Sequence, residues 1–290
     1  MDRHPKFQDW ILMIVLSIIW GSSFILMKQG LKAFRPDQVA CIRIGITGIV
    51  LLPFAFSRRK FVSTKQTGTI LIQGMFGNFI PAFLFPIAQR FISSSAAGIL
   101  NSLSPVWVFV LGILFFSAKY KWVRLLGIFF AFAGVILLLL LEPSHGATTN
   151  LSYGLVIVLA TLMYGLSANV IKKNLHDVHP LTITSISFAM AFIPALLFLF
   201  TTDFFSVLQN NPRALTSLIY ILILGICGSA IASIIFNRLV HNTSALFASS
   251  VTYLMPIVAL MWGYIDGESI QLNDFAGMAM IFAGVYLVSR

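Results

Sequence analysis

Uncharged polar side chains recur inside runs that are otherwise as apolar as hydrocarbon, and these are the residues whose types could do chemistry. The run IIWGSSFILM, for example, contains Trp20 and Ser23. Buried amides and hydroxyls need hydrogen-bond partners, and an aromatic ring with a polar atom adds a flat apolar contact. This chemistry favours recognition of a small solute. The candidate binding residues are Trp20, Ser23, Asn78, Asn101, Tyr164, Ser167, Asn169, Thr252 and Tyr253.

Three prolines, Pro81, Pro105 and Pro256, stand in the middle of apolar runs. A proline inside a helix lacks the N–H that would bond the carbonyl four residues earlier, so the helix bends and that carbonyl is freed. For Pro105 and Pro256 the freed carbonyls belong to Asn101 and Thr252, which are themselves candidate binding residues. We predict that these prolines bend helices or help gating.

Packing between helices is the alternative interpretation of the polar residues. Small residues let apolar helices approach closely, and serine hydroxyls can bond their own helix. The same interpretation is favoured for Gln73 and Asn237, which lie nearer the predicted helix ends. Arg43 is expected to snorkel or to bond carbonyls, and binding of an anionic group such as a carboxylate is its second interpretation.

The runs that carry these residues define the class of protein. Of 290 residues, 58% are apolar and only 10% are charged, and the mean hydropathy is +0.93. A typical soluble chain has about 25% charged residues, whereas stretches near the roughly 20 residues that cross a bilayer recur here throughout. We predict an all-α polytopic membrane protein in the lipid bilayer. Its ten transmembrane helices are expected at 10–27, 37–56, 67–89, 93–116, 122–141, 152–171, 180–201, 217–237, 243–264 and 272–289.

The distribution of basic residues predicts the orientation of the chain. The first stretch, from Trp10 to Met27, lacks a small-residue cleavage site and is expected to be a retained span. With both termini cytoplasmic, thirteen basic residues lie inside and five outside, a bias that favours this orientation in a bacterial inner membrane. The net charge of +10 is dispersed over short loops and does not indicate nucleic-acid binding. The sequence leaves open whether the protein is a monomer or a homodimer.

The second half of the chain repeats the first. At an offset of 144 positions Trp20 pairs with Tyr164 and Ser23 with Ser167, and at an offset of 151 Pro105 pairs with Pro256. We therefore predict two five-helix repeats, at 9–141 and 150–289. Because five is odd, the second repeat enters the membrane in the opposite orientation. Inverted repeats of this kind are typical of transporters that alternate access to a site at their interface.

Several motifs and their order resemble the EamA-like branch of the drug/metabolite transporter superfamily over nearly the whole chain. They are WGSSF, Arg43, ISSSAAGILNSLSPVWVFVLGILFF, the FAGV near the end of each half, and WGYIDGES. The resemblance implies a ten-helix carrier of small metabolites, often amino acids, with a cavity lined by the first, third, fourth, sixth, eighth and ninth spans. Many relatives have a Gly-Glu pair after the fourth span of each half. This chain has Gly267-Glu268 in the second half and Ser117-Ala118 in the first.

Neither the cysteines nor the histidines form a recognisable catalytic or metal-binding pattern. Cys41 and Cys227 fall inside apolar runs, and His176 and His179 lie in a short loop without a glutamate in register. We expect no metal, no cofactor and no catalysis. An intramembrane enzyme or a lipid-handling protein is the alternative class.

The expected partner is a small-molecule substrate, amphiphilic or zwitterionic and similar to an amino acid. Export is the direction that the resemblance implies, and import is equally compatible with the residues. Asp and Glu occur only at the ends of the predicted spans or in loops, so the usual buried carboxylate of a proton relay is missing. We predict facilitated diffusion or exchange. Proton coupling through Glu268 or Asp266, folded over the cavity mouth, is the alternative.

Overall fold

The structure, a computed structural model, describes residues 5–116, 122–141 and 147–289, which contain helices and no strand. Ser117 and Ala118, where relatives have Gly-Glu, lie outside the described residues. The helices, in chain order, are α1 (Phe7–Gly30), α2 (Pro36–Phe61), α3 (Thr64–Ala88), α4 (Ser94–Phe116), α5 (Trp122–Leu141), α6 (Ala147–Asn174), α7 (Pro180–Phe200), α8 (Phe204–Asn210), α9 (Ala214–Asn242), α10 (Ala245–Ile265) and α11 (Leu272–Ser289).

The surface of the bundle is as apolar as its interior. Within the described part of the chain, eight helices are long and apolar enough to cross a membrane, and shorter apolar segments lie in α5 and α11. Large apolar side chains such as Ile18, Phe129 and Leu197 are more than half exposed. Soluble proteins seldom expose such surface over a wide area, whereas lipid tails solvate it well. The protein is therefore a multi-pass membrane protein.

The helices begin and end close to the predicted boundaries, and serines cap the starts of two of them. Ser93 accepts a hydrogen bond from the Ala96 N–H at 3.1 Å and so caps α4. Ser244, at the corresponding point of the second half, accepts one from the Phe247 N–H at 3.0 Å and caps α10. Such caps satisfy backbone N–H groups that have no partner inside the helix. The short helix α8 is not among the predicted elements.

Four long helices are interrupted at points that correspond in the two halves. Wider π turns occur at Met75–Phe79 in α3 and Leu224–Ile231 in α9. Tighter 3₁₀ turns occur at Asn101–Leu103 in α4 and Ser250–Tyr253 in α10. Such turns change which backbone carbonyls and side chains face a given neighbour, and they are frequent at functional sites and hinges.

The three prolines lie directly after these interruptions. Pro81 follows the π turn of α3, and Pro105 and Pro256 follow the 3₁₀ turns of α4 and α10. A proline is well tolerated in the first turn of a helical segment, where its missing N–H would have no helical partner. The irregular turns therefore accommodate the prolines inside continuous membrane-crossing helices.

The helices pack in pairs that mirror each other in the two halves of the chain. α5 packs along α11, and α2 packs along α7. α1 contacts α10, and in the same way α6 contacts α4. The cavity described below lies between the helices of the last two pairs, together with α3 and α9.

Close approach of the crossing helices depends on glycine. A Cβ at Gly21 in α1 would lie 2.6 Å from the Val258 Cβ and 2.9 Å from the Met255 carbonyl oxygen in α10. The corresponding Gly165 in α6 would place a Cβ 2.7 Å from the Trp107 Cβ in α4. These separations leave no room for a methyl group, so each crossing requires glycine.

Gly21→Ala is expected to lower the thermal unfolding temperature of the purified protein, because overpacking at this crossing costs about 1–3 kcal/mol. Gly68→Ala is the matched control, because Gly68 lies in α3 and a Cβ added there would meet no atom within 4 Å. Alanine is the better helix former there, so the control should not lower the unfolding temperature. Thermal unfolding in detergent, followed by size-exclusion chromatography, measures both. Equal shifts in the two variants would contradict the assignment.

Candidate solute-binding site

A cavity with about 1000 Å³ of empty space, mouth included, lies at the centre of the bundle. Its walls come from α1, α3, α4, α6, α9 and α10, with additional residues from α2 and α7. Because the short helix α8 is not one of the predicted spans, α9 and α10 are the eighth and ninth spans. The first six helices named here are therefore the ones that the family resemblance implies.

Seven of the nine candidate binding residues line this cavity, and two do not. The seven are Trp20, Ser23, Asn78, Asn101, Tyr164, Ser167 and Thr252. The Asn169 amide donates to the carbonyls of Val108 and Gly165, both at 2.9 Å, and so bonds α4 and its own helix. The Tyr253 hydroxyl donates to the Val285 carbonyl at 3.4 Å, towards α11. Asn169 and Tyr253 therefore have structural contacts instead of cavity positions.

The two aromatic residues at equivalent positions, Trp20 and Tyr164, both line the cavity. The Trp20 indole N–H donates to the Gly228 carbonyl at 3.0 Å, inside the π turn of α9. Its donor is therefore already bonded, and the ring is what it offers to a solute. The Tyr164 ring stacks on Phe85 with the ring centres 5.9 Å apart.

The two equivalent serines make different hydrogen bonds. The Ser23 hydroxyl donates to the Ile19 carbonyl of its own helix at 2.9 Å. Ser167 instead accepts from the Gln73 amide of α3 at 3.1 Å. The Ser23 bond to its own helix agrees with the alternative interpretation, in which the polar residues serve helix packing. Ser167 joins two helices that line the cavity.

Two amide oxygens at the cavity wall have no hydrogen-bond partner. They belong to Gln73 and Asn101, whose side chains are 3% and 4% exposed. The Asn101 N–H₂ group has only a weak contact, 3.6 Å to the Met255 sulfur. Asn78, by contrast, donates to Ser187 at 3.1 Å. A buried acceptor without a partner costs free energy, and a ligand that donates to it recovers that cost.

The carbonyls released by the prolines are bonded to serines. The Asn101 carbonyl accepts from the Ser104 hydroxyl at 2.9 Å. The Thr252 carbonyl accepts from the Ser102 hydroxyl of α4 at 2.8 Å. These two carbonyls are therefore used to hold α4 and α10, and they are less available to a solute than the sequence suggests.

Sequence reasoning underrated three residues that line the cavity: Arg43, Gln73 and Asn237. Gln73 and Asn237 are nearer the ends of apolar runs, but the π turns of α3 and α9 lie beside them and direct these helices around the cavity. The Arg43 Nε–H donates to Ser229 Oγ at 2.6 Å, across the cavity wall. Gln73 and Gly77 are four residues apart and so lie on one helix face. This spacing could have indicated from the sequence that Gln73 faces the cavity.

A cluster of charged and hydroxyl groups links the ends of α1 and α10 to the start of α4. We call Lys28, Ser94, Ser95, Asp266 and Glu268 the end cluster. The Glu268 carboxylate accepts from the Lys28 ammonium at 2.7 Å and from the hydroxyls of Ser94 and Ser95 at 2.6 Å each. It also accepts from the backbone N–H groups of both serines, at the start of α4. Asp266 lies 2.8 Å from the same ammonium.

The end cluster stabilises the charged form of Glu268. Burial by itself would raise the pKa of this carboxyl, but hydrogen bonds from Lys28, Ser94 and Ser95 outweigh burial and lower the pKa to about 2. A lowered pKa contributes stability above the ordinary value of 4.5, and this contribution is lost only as the pH falls towards 2. Glu268 therefore stays charged near neutral pH.

The described residues contain no group of three or more His, Cys, Asp or Glu side chains that could hold a metal ion. A bundle of membrane-crossing helices around a central cavity is compatible with a membrane transporter. The sequence profile of the EamA-like transporter family matches residues 9–140 and 151–290. The chain therefore belongs to the EamA-like transporter family, which confirms the resemblance drawn from its motifs.

Curated relatives match along almost the full length of the chain. A protein of Archaeoglobus fulgidus described as an uncharacterized transporter is 25% identical and is covered to 99%, with 98% of this chain matched. A Salmonella typhimurium protein described as a probable amino-acid metabolite efflux pump is 24% identical, with 97% of this chain and 94% of that protein matched. One solved crystal structure, 14% identical, superposes with a TM-score of 0.69 over 98% of this chain and 97% of its own, and it supports the fold. Family and relatives indicate a transporter, not an enzyme.

Proposed function

We propose that this protein moves a small amphiphilic or zwitterionic solute, similar to an amino acid, across the membrane by alternating access. The observation that carries the proposal is the central cavity, whose walls come from both matched parts of the chain. Trp20 and Tyr164 contribute aromatic rings at equivalent positions. The Salmonella relative described as a probable amino-acid metabolite efflux pump favours this class of solute and the direction of export.

Alternating access is proposed to arise from two inverted five-helix repeats, at about 9–141 and 150–289. Contacts that occur at equivalent positions in the two halves support the inverted repeats. Ser23 lies against Gly228, and the equivalent Ser167 lies against the equivalent Gly77. The π turns and 3₁₀ turns also occur at corresponding positions. A cavity at the interface of two such repeats can open to either side when one repeat rocks against the other.

The cavity wall favours a solute with both apolar surface and hydrogen-bond donors. Its aromatic rings suit an apolar face of the solute. The unbonded oxygens of Gln73 and Asn101 can accept from a hydroxyl, an amide or an ammonium group. A zwitterion with an apolar side chain offers all of these features within the available volume.

The end cluster is proposed to close the outer side of the cavity in this state. With both termini cytoplasmic, the ends of α1 and α10 that carry Lys28 and Glu268 face outward. Glu268 then joins these helices to the start of α4 by charge-assisted hydrogen bonds. Opening to the outside requires these bonds to break, so the cluster is an outer gate.

The driving force is proposed to be a solute gradient, by facilitated diffusion or exchange. No Asp or Glu is among the described residues that line the cavity. Glu268 is one of the two residues through which proton coupling was considered as the alternative. Its pKa is about 2, so it stays charged at physiological pH. A group that does not titrate cannot make solute affinity depend on the proton.

Counterflow in proteoliposomes tests the proposal. Vesicles loaded with one unlabelled amino acid at a time are expected to accumulate the same radiolabelled amino acid for at least one aromatic or aliphatic member of the panel. An imposed pH gradient without internal solute is expected to drive no uphill accumulation. Empty vesicles are the control. Chemical alteration of a solute without movement would support the enzyme class instead, and accumulation that follows the pH gradient would refute solute-driven exchange.

A further inference from the structure

Arg43 stands in the wall of the cavity, well inside the membrane-crossing helix α2. It lies seven residues after Pro36, the first residue of α2, which places its Cα about 10 Å along the helix. A snorkelling arginine extends its charged group towards the membrane surface. Here the Nε–H instead donates across the bundle to Ser229 Oγ at 2.6 Å, in the π turn of α9.

The guanidinium of Arg43 has no carboxylate partner in the part of the chain that the structure describes. The ion pairs found there join other residues, all of them near helix ends. Among the described residues that line the cavity there is no Asp or Glu. A cationic group away from bulk water and without a counter-charge is costly.

The hydrogen-bonding capacity of Arg43 is also largely unused. A guanidinium has five N–H donors in a fixed planar fork. Among the described residues only the Nε–H has an acceptor, Ser229. Paired terminal N–H groups match the two oxygens of a carboxylate better than any single neutral acceptor. Charge and geometry therefore both indicate an anionic ligand.

We propose that Arg43, positioned by Ser229, is the subsite that binds an anionic group of the transported solute, and that it selects carboxylates over uncharged or cationic solutes of the same shape. The proposal rests on the function proposed above and makes it specific. Arg43, the charged residue among the described residues that line the cavity, attracts a carboxylate and repels an unaccompanied ammonium group. Amines and amides with the same skeleton are therefore bound more weakly than the acid.

Matched acid and amide probes test this selectivity. The pairs are L-phenylalanine with L-phenylalaninamide, L-leucine with L-leucinamide, and 3-phenylpropionate with 3-phenylpropionamide. Binding to the purified protein is measured by the rise in its unfolding temperature with probe concentration. At least one acid is expected to bind about 10–100-fold more tightly than its amide, as for a hydrogen-bonded charge pair. Equal affinities, or binding of none of the acids, would overturn the proposal.

Variants assign the selectivity to Arg43. Arg43→Gln is expected to remove the preference for the acid over its amide. Arg43→Lys should keep part of the preference, because the charge remains and the planar fork is lost. Ser229→Ala keeps the Arg43 charge and should weaken acid binding less than Arg43→Gln does. This variant replaces Arg43→Gln in the test if Arg43→Gln does not fold. An unchanged acid preference in Arg43→Gln, or in Ser229→Ala when that variant replaces it, would refute the subsite.

The same probes separate this subsite from the transport proposal. If acids bind selectively to detergent-purified protein but are not moved into sealed vesicles, the transport proposal fails and the Arg43 subsite stands. If solutes are moved without regard to the carboxylate, the transport proposal stands and the subsite fails.

Discussion

Replacing Glu268 by glutamine is expected to lower the rate of solute counterflow about tenfold or more. The carboxylate accepts hydrogen bonds from Lys28, Ser94 and Ser95, and so joins α1, α4 and α10. A neutral amide can neither neutralise the Lys28 ammonium nor accept all of these bonds. Hydrogen bonds to a charged group are worth about 1.5–3 kcal/mol, so the closed outer gate should be populated about 10–100-fold less.

The state of the gate can be measured together with the rate. A cysteine at Ser233, which lines the cavity, would be placed in a chain with Cys41→Ser and Cys227→Ser. In intact cells, a membrane-impermeant thiol reagent is expected to label this cysteine faster in the Glu268→Gln background. Unchanged labelling together with unchanged counterflow would contradict the gate.

Asp37→Asn is the matched control for Glu268→Gln. Asp37 pairs with Arg35 at 2.6 Å, but the arginine side chain is 52% exposed and both residues lie at the start of one helix. Exposed pairs contribute about 0–1 kcal/mol. Counterflow by this variant should stay within about twofold of the unmodified protein. A loss as large as that of Glu268→Gln would indicate a general effect of removing surface charge.

Asn101→Leu is expected to weaken solute affinity about tenfold while leaving the unfolding temperature unchanged or higher. The Asn101 amide oxygen is buried without a partner, and its N–H₂ group has only the contact to the Met255 sulfur. Leucine has the same number of side-chain heavy atoms and the same branching, and it removes this unsatisfied group, which otherwise costs about 1–3 kcal/mol. If the oxygen accepts from the solute, its loss removes a hydrogen bond to the solute. Counterflow at several solute concentrations measures the affinity.

For Asn169→Leu, which also replaces asparagine by leucine, we expect the opposite effects on stability and affinity. The Asn169 amide donates to the carbonyls of Val108 and Gly165 and does not line the cavity. Its removal is expected to lower the unfolding temperature and to leave the affinity of the folded protein unchanged. The Asn101 assignment would be wrong if both variants lost stability and kept affinity.

The sequence by itself determined the class of protein and most of the helix positions. Apolar runs long enough to cross a bilayer can be read without knowing their partners, because each helix satisfies its own backbone hydrogen bonds in lipid. The family followed from the order of several motifs and from the repetition of the first half in the second, and the family profile confirms it. The positions of Trp20 and Tyr164 at the cavity are consistent with their pairing in the repeat.

The face that each helix turns to the cavity was decided by the tertiary structure. A helix that is apolar on every side carries no periodic signal for orientation, so Asn101 and Asn169 look alike in sequence although only Asn101 lines the cavity. The π turns of α3 and α9 add a further rotation that the residue types do not indicate. Sequence reasoning therefore undervalued Gln73 and Arg43.

Long-range partners were likewise decided by tertiary structure. Glu268 meets Ser94 and Ser95 about 170 residues earlier in the chain, and Arg43 meets Ser229 from a distant helix. Local rules describe contacts within a few residues of one helix, whereas these contacts depend on how the helices cross. Glycines such as Gly21 set the separation of those crossings, and the separation determines which polar groups come within hydrogen-bond distance. The sequence contains the groups of the site, but only packing in three dimensions brings them together.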